Sequence, residues 1–364
     1  DTYSAFLATL LPVLIERFAI TNAEASVFSF INQALSLFQP AFGHLADRVN
    51  LRWLVFLAPA LTGIAASLLG VAPVYTAAVL LCVVTGLSSA AFHAVAPVLA
   101  ANFSGRLLGR GMSFWMVGGE FGRMLGPLLV VAWIGLARVP ILPWLVLPGL
   151  LVAVILFVRL RQAPHRAPGV GQVYPLRQAL RRLRPMLIPM GGILLLRALM
   201  ESALATFIPT LITRDGSELW LAGVSFAVME AAGVVGAMTG GSLSDRLGRR
   251  RVLLGTLALS PLALLLFLSA SGWLGLVLLA LLGLLAMSIN PVVMAIFQES
   301  LPENRALANG LYMAIHLVLR SVATLIIGGL GDLAGLRYAF TVSAWVALAA
   351  APLVLLLPRR QKSA

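Results

Sequence analysis

Eight ionisable side chains stand out because they lie inside long apolar runs: His93, Glu120, Arg123, Arg197, Glu201, Glu230, His316 and Arg320. A charge at the centre of a bilayer costs at least about 2.5–3.5 kcal/mol on insertion scales, so a persistent one faces a partner or a polar cavity. Glu120 and Arg123 are three residues apart; Arg197 and Glu201, and His316 and Arg320, are four apart. In a helix each spacing puts both members on one face. Glu230 has no basic residue three or four positions away, and a carboxyl group stripped of water is suited to carry a proton. Glu230, Glu120 and Glu201 are therefore the candidate proton-coupling residues. Arg123, Arg197, Arg320, His93 and His316 are candidates for binding a substrate, joined by the neutral polar pair Asn32 and Gln33 in an early apolar run. A structural reading also fits, in which the pairs only neutralise each other and fix helix packing.

Other chemistries find no support. No Gly-rich loop precedes a lysine, since the single lysine is Lys362, so the chain encodes no phosphate cradle. Four scattered histidines and one cysteine give no metal spacing. No nucleophile–base set is apparent, and no enzyme or cofactor is expected. The one cysteine, Cys82, reads as a packing residue.

The elements that would position these groups follow from composition. The 364 residues are 60% hydrophobic and 11% charged, with a mean hydropathy of +0.98. A soluble domain has about 45–50% apolar and about 25% charged residues. A membrane helix needs about 20 apolar residues. Twelve spans are expected, near 2–18, 24–44, 53–72, 75–101, 110–134, 140–160, 186–212, 219–242, 252–271, 273–298, 306–330 and 336–357. Alternate loops and the C-terminal tail carry 19 of the 26 Lys and Arg residues; the opposite loops carry Arg17, Arg138, Arg214 and Arg337. The positive-inside rule puts both termini in the cytoplasm. The net charge of +13 thus reads as topology rather than as a nucleic-acid partner. Residues 161–185 form a basic linker between bundles at 1–160 and 186–364. Leu176 to Arg182 fits either an amphipathic turn on anionic lipid or a solvated linker.

The two halves repeat. Leu7-Ala-Thr-Leu-Leu-Pro-Val-Leu-Ile15 matches Leu204-Ala-Thr-Phe-Ile-Pro-Thr-Leu-Ile212 at an offset of 197, and Gly43-His-Leu-Ala-Asp47-Arg48 matches Gly241-Ser-Leu-Ser-Asp245-Arg246 at 198. Repeats of six spans stay parallel, with a substrate site expected at the midplane between them. The same offset pairs Arg123 with Arg320, and His93 with Asn290.

With Gly-x-Leu-x-Asp-Arg in both halves, the chain resembles the major facilitator superfamily, an all-α membrane fold of two parallel six-helix repeats. Thr85-Gly-Leu-Ser-Ser-Ala-Ala-Phe-His93 and Val117-Gly-Gly-Glu-Phe-Gly-Arg-Met-Leu-Gly-Pro-Leu-Leu129 are similar to its fosmidomycin-resistance branch. Gly122, Gly126 and Pro127 match part of the antiporter motif of span 5, whose following glycine pair is here Val130-Val131. The branch carries His-Pro-Glu and Gly-Gly-Asn where this chain has His93-Ala94-Val95 and Gly118-Gly119-Glu120.

The resemblance implies that Gly43, Asp47, Arg48, Gly241, Asp245, Arg246 and Arg249 form gating motifs, with Gly43 and Gly241 permitting close helix contact. Asp47 would face the helix start near Ala306, and Asp245 the one near Arg110. It further implies proton-driven efflux of a small drug-like or phosphonate-type compound by a monomer in the cell membrane. Import of an organic anion with protons, or flipping of a lipid or lysolipid, are the alternatives.

Overall fold

The computed structural model describes residues 1–39, 41–42, 45, 53–104, 108–137, 139–161, 176–300 and 305–357. They form twelve α-helices joined by short turns and 3₁₀ segments, with no strand among the described residues. The helices are α1 (Phe6–Phe18), α2 (Asn22–Ala34), α3 (Leu54–Leu69), α4 (Tyr75–Ser104), α5 (Leu108–Ala137), α6 (Val146–Leu160), α7 (Leu176–Arg214), α8 (Leu219–Leu247), α9 (Arg249–Ser269), α10 (Trp273–Ser300), α11 (Arg305–Ala334) and α12 (Leu336–Leu348). Nine segments among the described residues are long and apolar enough to cross a membrane. Each expected span corresponds to one helix. The ends differ where the backbone tightens: 3₁₀ turns at Leu35–Phe38, Val139–Leu145 and Pro352–Leu356 extend α2, precede α6 and follow α12. α7 runs unbroken from Leu176, so the residues expected to form a separate surface turn are its first turns.

Local signals set several boundaries. Thr21 caps α2: its hydroxyl accepts from the Glu24 N–H, and the Glu24 carboxylate accepts from the Thr21 N–H. This reciprocal pair satisfies donors that a helix start leaves bare. Gly248 and Gly335 precede α9 and α12 with φ of +95° and +87°, a region costly for any residue with a Cβ.

Contacts divide the chain into two compact units, one of Asp1–Gly169 with Ala205–Glu230, the other of Val170–Leu204 with Ala231–Ala364. In the first, α3 packs on α4 and α6, α4 on α5, and α1 on α5. In the second, α9 packs on α10 and α12, and α10 on α11. The pairs α3–α4, α3–α6 and α4–α5 thus recur six helices later, as the sequence repeat requires. The second unit's core gathers Leu253 and Leu257 of α9, Ile289 and Val293 of α10, and Tyr312 of α11. Much of the apolar surface stays outside: Leu147, Leu151, Val154, Ile155 and Val158 of α6 are all exposed. In water such a face would drive aggregation; against acyl chains it costs nothing. Helix association then rests on close packing and polar contacts.

Candidate functional site: two ionic clusters

The first cluster lies in the first unit. Glu120 and Arg123 of α5 form the expected pair on one helix face. The guanidinium also reaches Glu230 of α8, with Arg123 Nε 3.5 Å from Glu230 Oε2. Glu230 is 5% exposed. Its basic neighbour therefore comes from a different helix, which no spacing within α8 could reveal. Arg123 stands between two carboxylates, and the trio with all members ionised carries one net negative charge.

His93 of α4 lies in the same unit. Its Nδ1 is 2.9 Å from the Ser89 carbonyl oxygen and its Nε2 is 3.2 Å from Asp1 Oδ1. Trp115 of α5 stacks on Phe92 with ring centroids 5.4 Å apart and meets the His93 ring edge-on at 6.3 Å. Asp1 is absent from the sequence-based candidates. It precedes the first apolar run, and its role rests on a contact with α4 that no local pattern announces.

Glycines of α5 seat the residues just before α1. A Cβ on Gly119 would lie 2.5 Å from Asp1 Oδ2, one on Gly122 would lie 3.0 Å from Thr2 Oγ1, and one on Gly126 would lie 2.7 Å from Ala5 Cβ. Gly122 and Gly126 thus leave the room that Thr2 and Ala5 occupy, and Pro127 is buried beside them. Val130 and Val131 replace the motif's glycine pair. There the space is supplied from the facing helix: a Cβ on Gly223 of α8 would collide with the Val131 side chain.

The second cluster lies in the second unit. Arg197 of α7 is 2% exposed. Its Nη2 donates to the Ala286 carbonyl at 3.0 Å and to Asn290 Oδ1 at 2.9 Å on α10, and lies 3.5 Å from Glu201 Oε2 one turn along α7. Arg197 Nε and Nη1 are buried with no hydrogen-bond partner among the described residues. Glu201 also meets His316 of α11, with Oε1 3.4 Å from Nε2, and the Tyr312 ring lies 5.6 Å from the His316 ring. Arg320 lies one turn along α11 from His316. Arg320 Nε is buried with no hydrogen bond among the described residues, and the Arg320 carbonyl accepts from Ser202 Oγ at 2.9 Å.

The remaining candidates lie apart from these clusters. Asn32 presents its backbone carbonyl to α4, where a Cβ on Gly86 would lie 3.1 Å away. Gln33 Oε1 is buried with no hydrogen-bond partner among the described residues. Gly43, Asp47 and Arg48 lie outside the described residues. In the second motif, Asp245 lies 2.5 Å from Arg249. Arg249 also reaches Glu299 near the end of α10 at 3.2 Å and donates to the Gly241 carbonyl and Ser244 Oγ. Arg246 is exposed. Gly241 does not provide the close helix contact, since its Cβ would meet only Pro291 at 3.7 Å. That contact comes earlier in α8, where Cβ atoms on Gly236 and Gly240 would overlap the Leu284 and Ser288 carbonyls of α10. The spacing Gly236-x-x-x-Gly240 was the available signal.

Comparison with known proteins agrees with this architecture. The profile of the Major Facilitator Superfamily matches residues 2–240 and 190–364. The chain is 26% identical over 361 residues to the fosmidomycin resistance protein of Escherichia coli (strain K12), covering 96% of this chain and 87% of that protein. It is 27% identical over 383 residues to the uncharacterized MFS-type transporter YfnC of Bacillus subtilis (strain 168), covering 100% and 90%. Its fold is similar to a bacterial homolog of the human lysosomal transporter Spinster (TM-score 0.81, 15% identity, 98% and 93% of the chains). It is also similar to the nucleoside transporter NupG (D323A mutant; 0.78, 14%, 97% and 95%) and to the D-xylose-proton symporter (0.75, 13%, 98% and 94%). With twelve helices among the described residues, a repeated packing scheme and ionic clusters on the apolar helices, the chain is a multi-pass membrane transporter and belongs to the major facilitator superfamily.

Proposed function

We propose that the chain is a proton-coupled secondary transporter that exports a small drug-like or phosphonate-type compound by alternating access. The observation behind this reading is the position of Arg123 between Glu120 and Glu230. Arg123 is shared by two carboxylates, so protonating one of them releases the guanidinium from that partner and changes the charge balance of the trio. Glu230 is the proposed carrier. Glu120 holds Arg123 in place when Glu230 is protonated. The second cluster has the opposite balance, with Arg197, Arg320 and His316 around Glu201, and suits the anionic group of a substrate. The likeness to a fosmidomycin resistance protein supports export, and exchange against protons would drive it. The distribution of basic residues supports a cell-membrane protein with both termini cytoplasmic, and each cluster is complete within one chain, which supports a monomer.

The basic second cluster also favours one other reading. If proton and organic anion bind in the same state, both clusters are neutralised together and the protein works as an importer by symport. Reconstitution separates the two. Purified protein is first screened by thermal shift against phosphonates, cationic drugs and lysolipids, and the binder is then added outside liposomes carrying an internal pH dye. Under antiport, substrate entry drives protons out and the lumen turns alkaline. Under symport the lumen turns acid. Substrate uptake without any change in lumenal pH, or stabilisation by lysolipid alone, would contradict proton coupling of a soluble substrate.

A further inference from the structure

We infer that Asp1 and His93 form a one-proton link that fastens the segment before α1 to α4, distinct from the Glu120–Arg123–Glu230 trio. The Ser89 carbonyl oxygen lies 2.9 Å from His93 Nδ1, and a carbonyl can only accept, so Nδ1 carries a hydrogen. The Ser89 hydroxyl, 3.4 Å from the same nitrogen, does not reverse this, because a bare Nδ1 would then oppose the nearer carbonyl. The other nitrogen, Nε2, lies 3.2 Å from Asp1 Oδ1. In the neutral ring with Nδ1–H, Nε2 bears only a lone pair, which would repel an ionised carboxylate. The contact is favourable when one proton lies between them, either as imidazolium with carboxylate or as imidazole with carboxylic acid. Loss of that proton places two lone pairs against each other and opens the link.

The surroundings hold the pair in register. The Asp1 carbonyl accepts from the Ala5 N–H at 3.2 Å, and Gly119 of α5 leaves the room that the Asp1 carboxylate occupies. The other charged group nearby is Arg123 of α5, which carries Glu120 of α5 and Glu230 of α8 with it. His93 is the sole ionisable group on α4 apart from Tyr75 and Cys82 near its start. Arg123 is already engaged with both glutamates, which leaves Asp1 as the carboxylate for His93.

The test is a proton count on the purified full chain, titrated in detergent from about pH 5 to about pH 9, where carboxyl and imidazole groups exchange. Asp1→Asn and His93→Gln should each bind about one proton fewer than the unsubstituted protein, and the double variant also about one fewer, because the proton is shared. An unchanged count in Asp1→Asn, or a loss of two in the double variant, would overturn the link. Should either variant fail to fold, replacing His44, His165 and His316 with Gln leaves His93 as the sole histidine for ¹⁵N spectroscopy. The link requires hydrogen on Nδ1 throughout the titration, and a neutral ring protonated only at Nε2 would refute it. The count is made at equilibrium without substrate, so its outcome is independent of the transport reading above.

Discussion

Arg197 has the most constrained environment of the buried charges. One guanidinium nitrogen serves Ala286, Asn290 and Glu201 together, and three helices converge through Glu201 and His316. Removing one partner of a buried ion pair costs about 3–5 kcal/mol because the remaining charge is stranded. Arg197→Ala should therefore lower the thermal unfolding temperature of the detergent-solubilised protein sharply. Arg197→Lys keeps the charge but cannot match the planar fork, and should lose about 1–3 kcal/mol. Equal stability of Arg197→Ala and the unsubstituted protein would remove the cluster's structural role. At this scale the sequence revealed pairs within a helix, since three- and four-residue spacing fixes a shared face. Arg123–Glu230, Glu201–His316 and Asp1–His93 each join distant segments, and only folding brings them together.

Between helices, small residues decide how closely backbones approach. A Cβ on Gly236 would overlap the Leu284 carbonyl, whereas one on Gly135 meets nothing within 4 Å. Gly236→Ala should push α8 from α10 and destabilise the protein by about 1–3 kcal/mol. Gly135→Ala should be neutral or slightly stabilising, because alanine favours the helix by about 1 kcal/mol. Thermal unfolding of the two variants side by side checks this, and similar melting would mean that α8 and α10 have room to spare. Helix number and order were legible from apolar run length. The choice among neighbouring glycines was not: Gly241 belongs to the conspicuous motif, yet Gly236 and Gly240 face α10. The valine pair at 130–131 looks like a defect in the α5 motif until Gly223 is seen opposite it.

For the whole molecule, the charge asymmetry of the loops carries the topology. Cys82 is 2% exposed, so single cysteines can be introduced against a quiet background. Ser271→Cys, between α9 and α10, should react with a membrane-impermeant thiol reagent in intact cells. Ser242→Cys, near the other end of α8, should react only after the cells are opened. The reverse pattern would invert the orientation. The repeat was visible as a constant offset, and helix pairs recur six helices apart. The division into compact units was not legible, because α7 and α8 each contribute to both.

Proton coupling through Glu230 is the central claim, and two modes of transport in the same proteoliposomes test it directly. Glu230→Gln keeps size and hydrogen bonding but cannot ionise, so no proton can enter or leave there. The account predicts a loss of about tenfold or more in uptake driven by an imposed pH gradient, equivalent to at least about 1.4 kcal/mol of coupling, while substrate exchange at equal pH continues. Gradient-driven uptake at the unsubstituted rate in Glu230→Gln would contradict it.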